Sequence, residues 1–273
     1  MYKLQLAQHS VILSTVKTVF SNICNILTKI FFAGFLLFSL FSPPVAHSGE
    51  WKVTPIRLDL GRDAKTGVIT VANEGEARLQ VQMKAFEWSQ DAEGKDVYTE
   101  TNDIIFFPRI MIFEKKDEKI LRAGIKIPAV TKEKAYRLFI EEIPEPRKSE
   151  GTTVAIAIKF GVPIFVKPLK EEPKGETEKL GMSKGAVSMI VKNSGNVHFR
   201  VESVTIAGKD LKGEEKFSKV LSGWYILSGV SRLFTTEIPQ AACEAVTKVS
   251  IEIKTNKFTL NGNLDADKTM CLP

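Results

Sequence analysis

Short apolar runs that alternate with polar residues at a period of two, cut at short intervals by turn signals, confine this chain to β architecture. Leu79, Val81, Met83 and Ala85 alternate with Gln80, Gln82 and Lys84, and the pattern returns at Val187, Met189 and Val191 and at Val249, Ile251 and Ile253. Side chains on a strand point alternately to its two faces, so each run reads as a strand with one buried face. Turn signals separate the runs: Gly61 to Lys65, Asn73-Glu74-Gly75, Asn193-Ser194-Gly195 and Asn261-Gly262-Asn263. Helical periodicity is nearly missing. At Phe86 and Trp88 the apolar parity shifts, which predicts a bulge or a strand end. The expectation is an all-β protein of sandwiches or a barrel, with immunoglobulin-like topology leading.

Two stretches interrupt the pattern after residue 49. Pro144 to Gly151 is polar and carries two prolines, the composition of an exposed loop between strands. Pro168 to Gly181 holds two prolines, two glycines and many Lys and Glu residues, which reads as a linker. The boundaries that follow are a first sandwich over 49–168, a linker over 169–181 and a second sandwich over 182–273.

Residues 1–48 contain no Asp or Glu, only Lys3, Lys17 and Lys29, and an apolar run from Ile30 to Phe41 leads to the small-residue stretch Ala46-His47-Ser48. This is the layout of a secretory signal cleaved near Ser48. The run, about a dozen residues, falls short of the roughly 20 that span a bilayer, so no stable membrane insertion is expected after cleavage. The long basic segment ahead of it keeps an uncleaved anchor open as the rival reading. Cleavage lowers the formal net charge from +6 to +3. A mildly basic chain argues against nucleic acid as partner, because phosphate-driven binding needs a concentrated Lys/Arg face. Past the leader only Cys243 and Cys271 remain, which in an exported protein suggests one disulfide, with two buried thiols as the alternative.

Between the two interruptions lies the longest strand candidate, Thr152 to Lys167. Val154, Ile156 and Ile158 lie on one face and Thr153, Ala155, Ala157 and Lys159 on the other, while Pro163 predicts a break or an edge position. On periodicity alone, the central buried strand of a sandwich is the simpler reading. An edge strand with such a row would invite a foreign strand to pair with it.

Catalytic chemistry finds little purchase, and no enzyme and no cofactor are expected. Beyond the leader the only histidine is His198, which excludes a multi-histidine metal centre, and Cys243, Cys271 and His198 offer no close-spaced ligand pair. No Gly-x-Ser-x-Gly elbow and no phosphate-binding glycine loop occurs. Glu141 and Glu142 are strand neighbours that face opposite ways and do not converge for acid-base work. Trp224 and Tyr225, between Gly223 and Gly229, read as core aromatics of the second sandwich.

In order along the chain come Thr54-Pro55-Ile56-Arg57, Phe107-Pro108-Arg109-Ile110, the Tyr136 to Pro144 segment, Val154 to Ile158, Gly161-Val162-Pro163-Ile164-Phe165-Val166-Lys167-Pro168, Asn193 to His198 and Gly223 to Gly229. Together they resemble the periplasmic chaperones of the chaperone-usher pathway for pili and fimbriae, and look more like the archaic branch than the well-studied one. The resemblance implies two immunoglobulin-like sandwiches set as a boomerang, a periplasmic location, a pilus subunit lacking one strand as ligand, and an outer-membrane usher that receives it. It implies that Val154, Ile156 and Ile158, with Thr152 at the margin, enter the subunit's groove. It also implies a pair of cations for the subunit's terminal carboxylate. Arg57 matches the first. The family's lysine position falls on Pro163, which leaves Lys159 as the preferred second cation and Arg122 and Arg137 as alternatives. A cell-surface adhesin built of similar domains is the rival function; it predicts exposed aromatics at a sandwich tip and no cationic cleft.

Overall fold

A computed structural model describes residues 51–144 and 156–272. The first half forms ten strands: β1 (Trp51–Thr54), β2 (Leu58–Leu60), β3 (Thr66–Asn73), β4 (Leu79–Gln90), β5 (Asp96–Glu100), β6 (Ile104–Phe107), β7 (Ile110–Phe113), β8 (Glu118–Ile125), β9 (Lys134–Glu142) and β10 (Lys159–Val166). Among the described residues they make a sheet of order β1-β3-β8-β6 facing one of order β2-β10-β9-β4-β5, with β7 also on β4. Their inner faces share one core, in which Ile69, Val71, Val81, Phe113, Leu121, Leu138, Ile140 and Ile164 are fully enclosed. Period-two alternation is what allows this, since each strand turns one row inward and one row out.

The second half follows with β11 (Gly175–Ser183), β12 (Ala186–Asn193), β13 (Phe199–Lys209), β14 (Glu215–Ser222), β15 (Tyr225–Ile226), β16 (Ser231–Glu237), the short helix α1 (Gln240–Cys243), β17 (Lys248–Thr255) and β18 (Thr259–Asp265). One sheet runs β11-β12-β16 and the other β14-β13-β17-β18, with β15 on β13. Val187, Met189, Val191, Val249, Ile251 and Ile253 fill the second core, as their alternation predicts. Cys243 and Cys271 are joined by a disulfide with Cα atoms 5.9 Å apart. It links positions 28 apart in sequence, a constraint on the unfolded chain worth about 3.5 kcal/mol.

Both sandwiches turn the same corner with the same chemistry. The Asn73 side chain donates to the carbonyls of Ala77 and Glu114 and accepts from Gly75 N–H. Asn193 donates to the carbonyls of Val197 and Ile226 and accepts from Gly195 N–H. A buried amide that satisfies three backbone groups explains why both turns open with Asn.

Three sequence expectations change. Strand β11 begins at Gly175, so about half of the stretch read as linker is already sheet. Strand β4 runs unbroken through Phe86 and Trp88, paired in constant register with β9 and β5. The parity shift there has another cause: Trp88 is buried on the face away from the first core, against the second sandwich. Of the long strand read over Thr152 to Lys167, the described part is β10 from Lys159 onward; Ile156 to Ile158 lie outside any strand, and Thr152 and Val154 lie outside the described residues.

The connector is strapped by the second corner. Ser194 and Gly195 N–H donate to the Lys174 carbonyl, and Asn196 N–H to that of Glu172. A Cβ on Gly195 would stand 2.3 Å from the Glu172 oxygen and 2.5 Å from the Lys174 nitrogen, both backbone atoms that cannot swing aside. Gly195→Ala should therefore cost about 1–3 kcal/mol in urea unfolding, as expected for overpacking, and make the connector the first site cut by protease.

A buried arginine beside an open strand edge

Strand β10 pairs antiparallel with β9 along its whole length, from Lys159 opposite Glu141 to Val166 opposite Lys134. Its other side is covered by parallel β2 only from Ile164 to Val166. Among the described residues no strand pairs with Lys159 to Pro163 on that side, so this stretch is a sheet edge. Pro163, which has no N–H to give, is tolerated there. Upstream of the strand, the Ile158 carbonyl still accepts from Glu142 N–H, so the edge continues toward Ile156.

Side chains of even number on this segment turn to the first core. Val162 and Ile164 are enclosed, Phe160 and Ile158 are partly buried against the core, and Ile156 is 82% exposed. The apolar row thus runs out of the sandwich into solvent along the open edge. Phe160 packs edge-to-face on Trp51 with ring centroids 4.5 Å apart. It continues the Ile156–Ile158 parity, a signal present in the sequence but not assigned to the row.

Odd-numbered side chains face the second sandwich. Phe165 stacks on His198 with centroids 3.5 Å apart and planes 14° apart. Phe165 also joins Trp88 and Leu227 in a buried cluster. His198, the lone histidine among the described residues, donates its backbone N–H to Glu133 Oε1, and its Nδ1 lies 2.7 Å from the same oxygen. Both side chains are 5% exposed. This pair joins the sandwiches, a role that a separation of 65 residues hides from the sequence.

Of the four candidate cations, Arg137 is the one that is buried. It stands directly opposite Pro163 in the ladder, is 6% exposed, and lies with Cζ 4.0 Å from the Trp88 ring centroid. Its Nη1 donates to the Gly161 carbonyl over 2.9 Å. Its Nε and Nη2 are buried without a partner, as is Trp88 Nε1. Buried donors are normally satisfied, so this guanidinium has spare N–H groups in a setting where they attract an acceptor strongly.

Arg57 sits just before Leu58, which pairs with Ile164, so it flanks the same Pro163 position from the β2 side. It is not free: Nε donates to Asp59 Oδ2 over 2.9 Å, and the side chain is 43% exposed. Lys159 is exposed and lies over the Phe139 ring, 4.3 Å from its centroid. Arg122 is placed elsewhere, exposed on β8 between Val68 and Phe107 on the outward face of the other sheet. The fold therefore brings Arg57, Lys159 and Arg137 to one sheet and leaves Arg122 apart.

Trp224 and Tyr225, expected in the second core, instead stand where the sandwiches meet. Trp224 is 40% exposed and donates Nε1–H to Asp96 of β5. Tyr225 packs on Trp88, with centroids 5.4 Å apart.

Residues 50–171 match the family model described as the pili and flagellar-assembly chaperone, PapD N-terminal domain. Over that span the first sandwich is similar to the N-terminal domain of the pilus-assembly chaperones. Among solved structures, this chaperone fold is shared with a chain of the CsuC–CsuE chaperone–tip adhesion subunit pre-assembly complex from archaic Csu pili of Acinetobacter baumannii. That likeness has 19% identity and a TM-score of 0.55, and covers 78% of this chain and 97% of that one. The YadV chaperone matches at 13% identity and TM-score 0.55, over 79% and 99%. A chain of the Salmonella enterica SafA pilin–SafB chaperone complex matches at 13% and 0.52, over 81% and 99%. No curated protein sequence matches the chain. These likenesses establish two immunoglobulin-like sandwiches.

A guanidinium buried with two idle nitrogens is retained at some cost to the protein's stability. Arg137→Met should leave the unfolding free energy unchanged or raise it by about 1 kcal/mol, because a hydrophobic side chain of similar volume no longer strands donors. Denaturant melts check this; a loss of 3 kcal/mol or more would mark the arginine as structural.

Proposed function

We propose that the protein caps an incomplete pilus subunit in the periplasm by lending it the open edge of β10, holds the subunit's terminal carboxylate at Arg137, and passes it to an outer-membrane usher. The observation that carries this reading is the coincidence of Arg137, with its unpartnered N–H groups, and the unpaired edge of β10, two neighbours in one ladder. A guanidinium can hold a carboxylate by two parallel charge-assisted bonds. Main-chain bonds along the edge give affinity without demanding a sequence, and the apolar row of Ile156, Ile158 and Phe160 fills the groove of the partner. The Csu and SafB structures, which are described with pilus subunits, support this ligand class. Arg57 serves as second cation once an incoming carboxylate competes with Asp59, and Lys159 adds long-range attraction from the exposed end.

Ile156 is the discriminating residue, because its exposure removes folding from the question. Burying it against a subunit contributes about 1.5–3 kcal/mol, so Ile156→Asp should lower the amount of subunit that co-purifies from periplasm by roughly tenfold or more. Identification by mass spectrometry of a small pilin-like protein with the wild type, lost from the variant, is the expected result. Equal recovery with both would remove strand lending and favour an adhesin.

A further inference from the structure

We propose that Asp96 is a positioning residue for the carboxylate site: by tying Trp224 and Tyr98 in place, it makes the second sandwich one wall of the cleft around Arg137. This rests on the reading of Arg137 as the carboxylate anchor.

Asp96 opens β5, at the margin of the first sandwich. Its Oδ2 accepts from Trp224 Nε1 at 3.0 Å and from the Tyr98 hydroxyl at 3.2 Å. Its Oδ1 accepts from Gln90 Nε2 at 3.0 Å. Gln90 in turn donates to the Tyr225 carbonyl and accepts from Leu227 N–H, each at 2.9 Å. Two adjacent polar side chains of the first sandwich thus hold the Trp224 to Leu227 segment of the second. The aromatic rings so held surround Arg137: its Cζ lies 5.8 Å from the ring centroids of both Trp224 and Tyr225, beside the closer Trp88. The Tyr98 hydroxyl feels both Asp96 and Arg137; burial first, then the Asp96 charge, push its pKa up against the opposing pull of Arg137, so it remains a proton donor to Asp96.

Three donors converge on the Asp96 carboxylate, which turns it toward Trp224 and Tyr98 and leaves the guanidinium for another anion. Ring faces on either side exclude water, and a carboxylate bound there feels a stronger attraction than at an open surface. Trp224 and Tyr98, each about two-fifths exposed, are where an entering chain end first meets this cluster. Grip on the carboxylate then depends on the second sandwich being seated on the first.

The test uses the subunit that co-purifies with the protein, prepared with its native terminal carboxylate and as a terminal amide, and measures Kd for wild type, Asp96→Ala, Trp224→Phe and Arg137→Ala. Wild type should prefer the acid by about tenfold or more. Asp96→Ala and Trp224→Phe should each reduce that preference severalfold while leaving affinity for the amide unchanged; Trp224→Phe keeps the ring and removes only the N–H, so it tests the tie without emptying the wall. A loss shared equally by acid and amide, or a preference that does not change, overturns the positioning role. If Arg137→Ala alone abolishes the preference, this inference falls and the anchor stands. If wild type does not distinguish acid from amide, the anchor falls and takes this inference with it.

Discussion

Phe165 decides how the two sandwiches meet. Its neighbours Ile164 and Val166 enter the core of the first sandwich, and alternation along the strand drives Phe165 out of the opposite face, onto His198 and against Trp88 and Leu227. One strand therefore sets the packing of a core, the docking of a domain and, a few residues upstream, the position of an open edge. A slip of one residue would exchange all three. The buried Glu133–His198 pair is affordable at this junction because the carboxylate oxygen accepts from both the backbone N–H and the ring of the histidine. Asn196 adds to the join, donating to the carbonyls of Thr131 in the first sandwich and Lys170 in the connector.

Beside that junction, where His198 Nε2 itself lacks a partner, the Arg137 guanidinium is more widely under-satisfied. Arg137 keeps one hydrogen bond and leaves two donor groups idle, in a cage of rings that cannot accept from them in the plane of the guanidinium. Ordinary packing would place a carboxylate there, and one is near: Asp96 is fully engaged by Trp224, Tyr98 and Gln90. The Asp96 carboxylate, engaged on both oxygens, and the Arg137 guanidinium, engaged at one nitrogen, stand in contrast.

Much of this was legible from alternation. The strands around Leu79, Val187 and Val249 face the way their apolar parity demands, because a half-buried sheet leaves few other solutions. The Asn-x-Gly turns are legible for the same local reason. What alternation could not convey is which surface a residue is buried against. Trp88 breaks the parity of β4, and a sequence offers a bulge as the explanation; the actual cause is a second sandwich lying on that face. Trp224 fails in the mirror sense, being assigned to its own core when its partner is Asp96, 128 residues away. Among the cations, Arg57 and Lys159 stand out by place in a motif and in a strand. Arg137 gains its significance only from the ladder that sets it opposite Pro163.

If β10 lends its edge and Arg137 holds the chain end as proposed, that opposition bears on how an edge that binds without regard to sequence can still bind in one register. Backbone ladders are satisfied equally well after a shift of two residues, and a shift of one turns every apolar side chain of the added strand away from the groove. Hydrogen bonding alone leaves the choice open. A fixed charge at one end removes it, since a chain has a single terminal carboxylate and the ladder must then be counted from there. Pro163 sharpens the stop: with no N–H to donate, it is a poor place for an added strand to continue. The anchor and the break lie side by side, so the end of the ladder and the site of the charge coincide, and the apolar row of Phe160, Ile158 and Ile156 begins immediately upstream at the spacing that alternation requires.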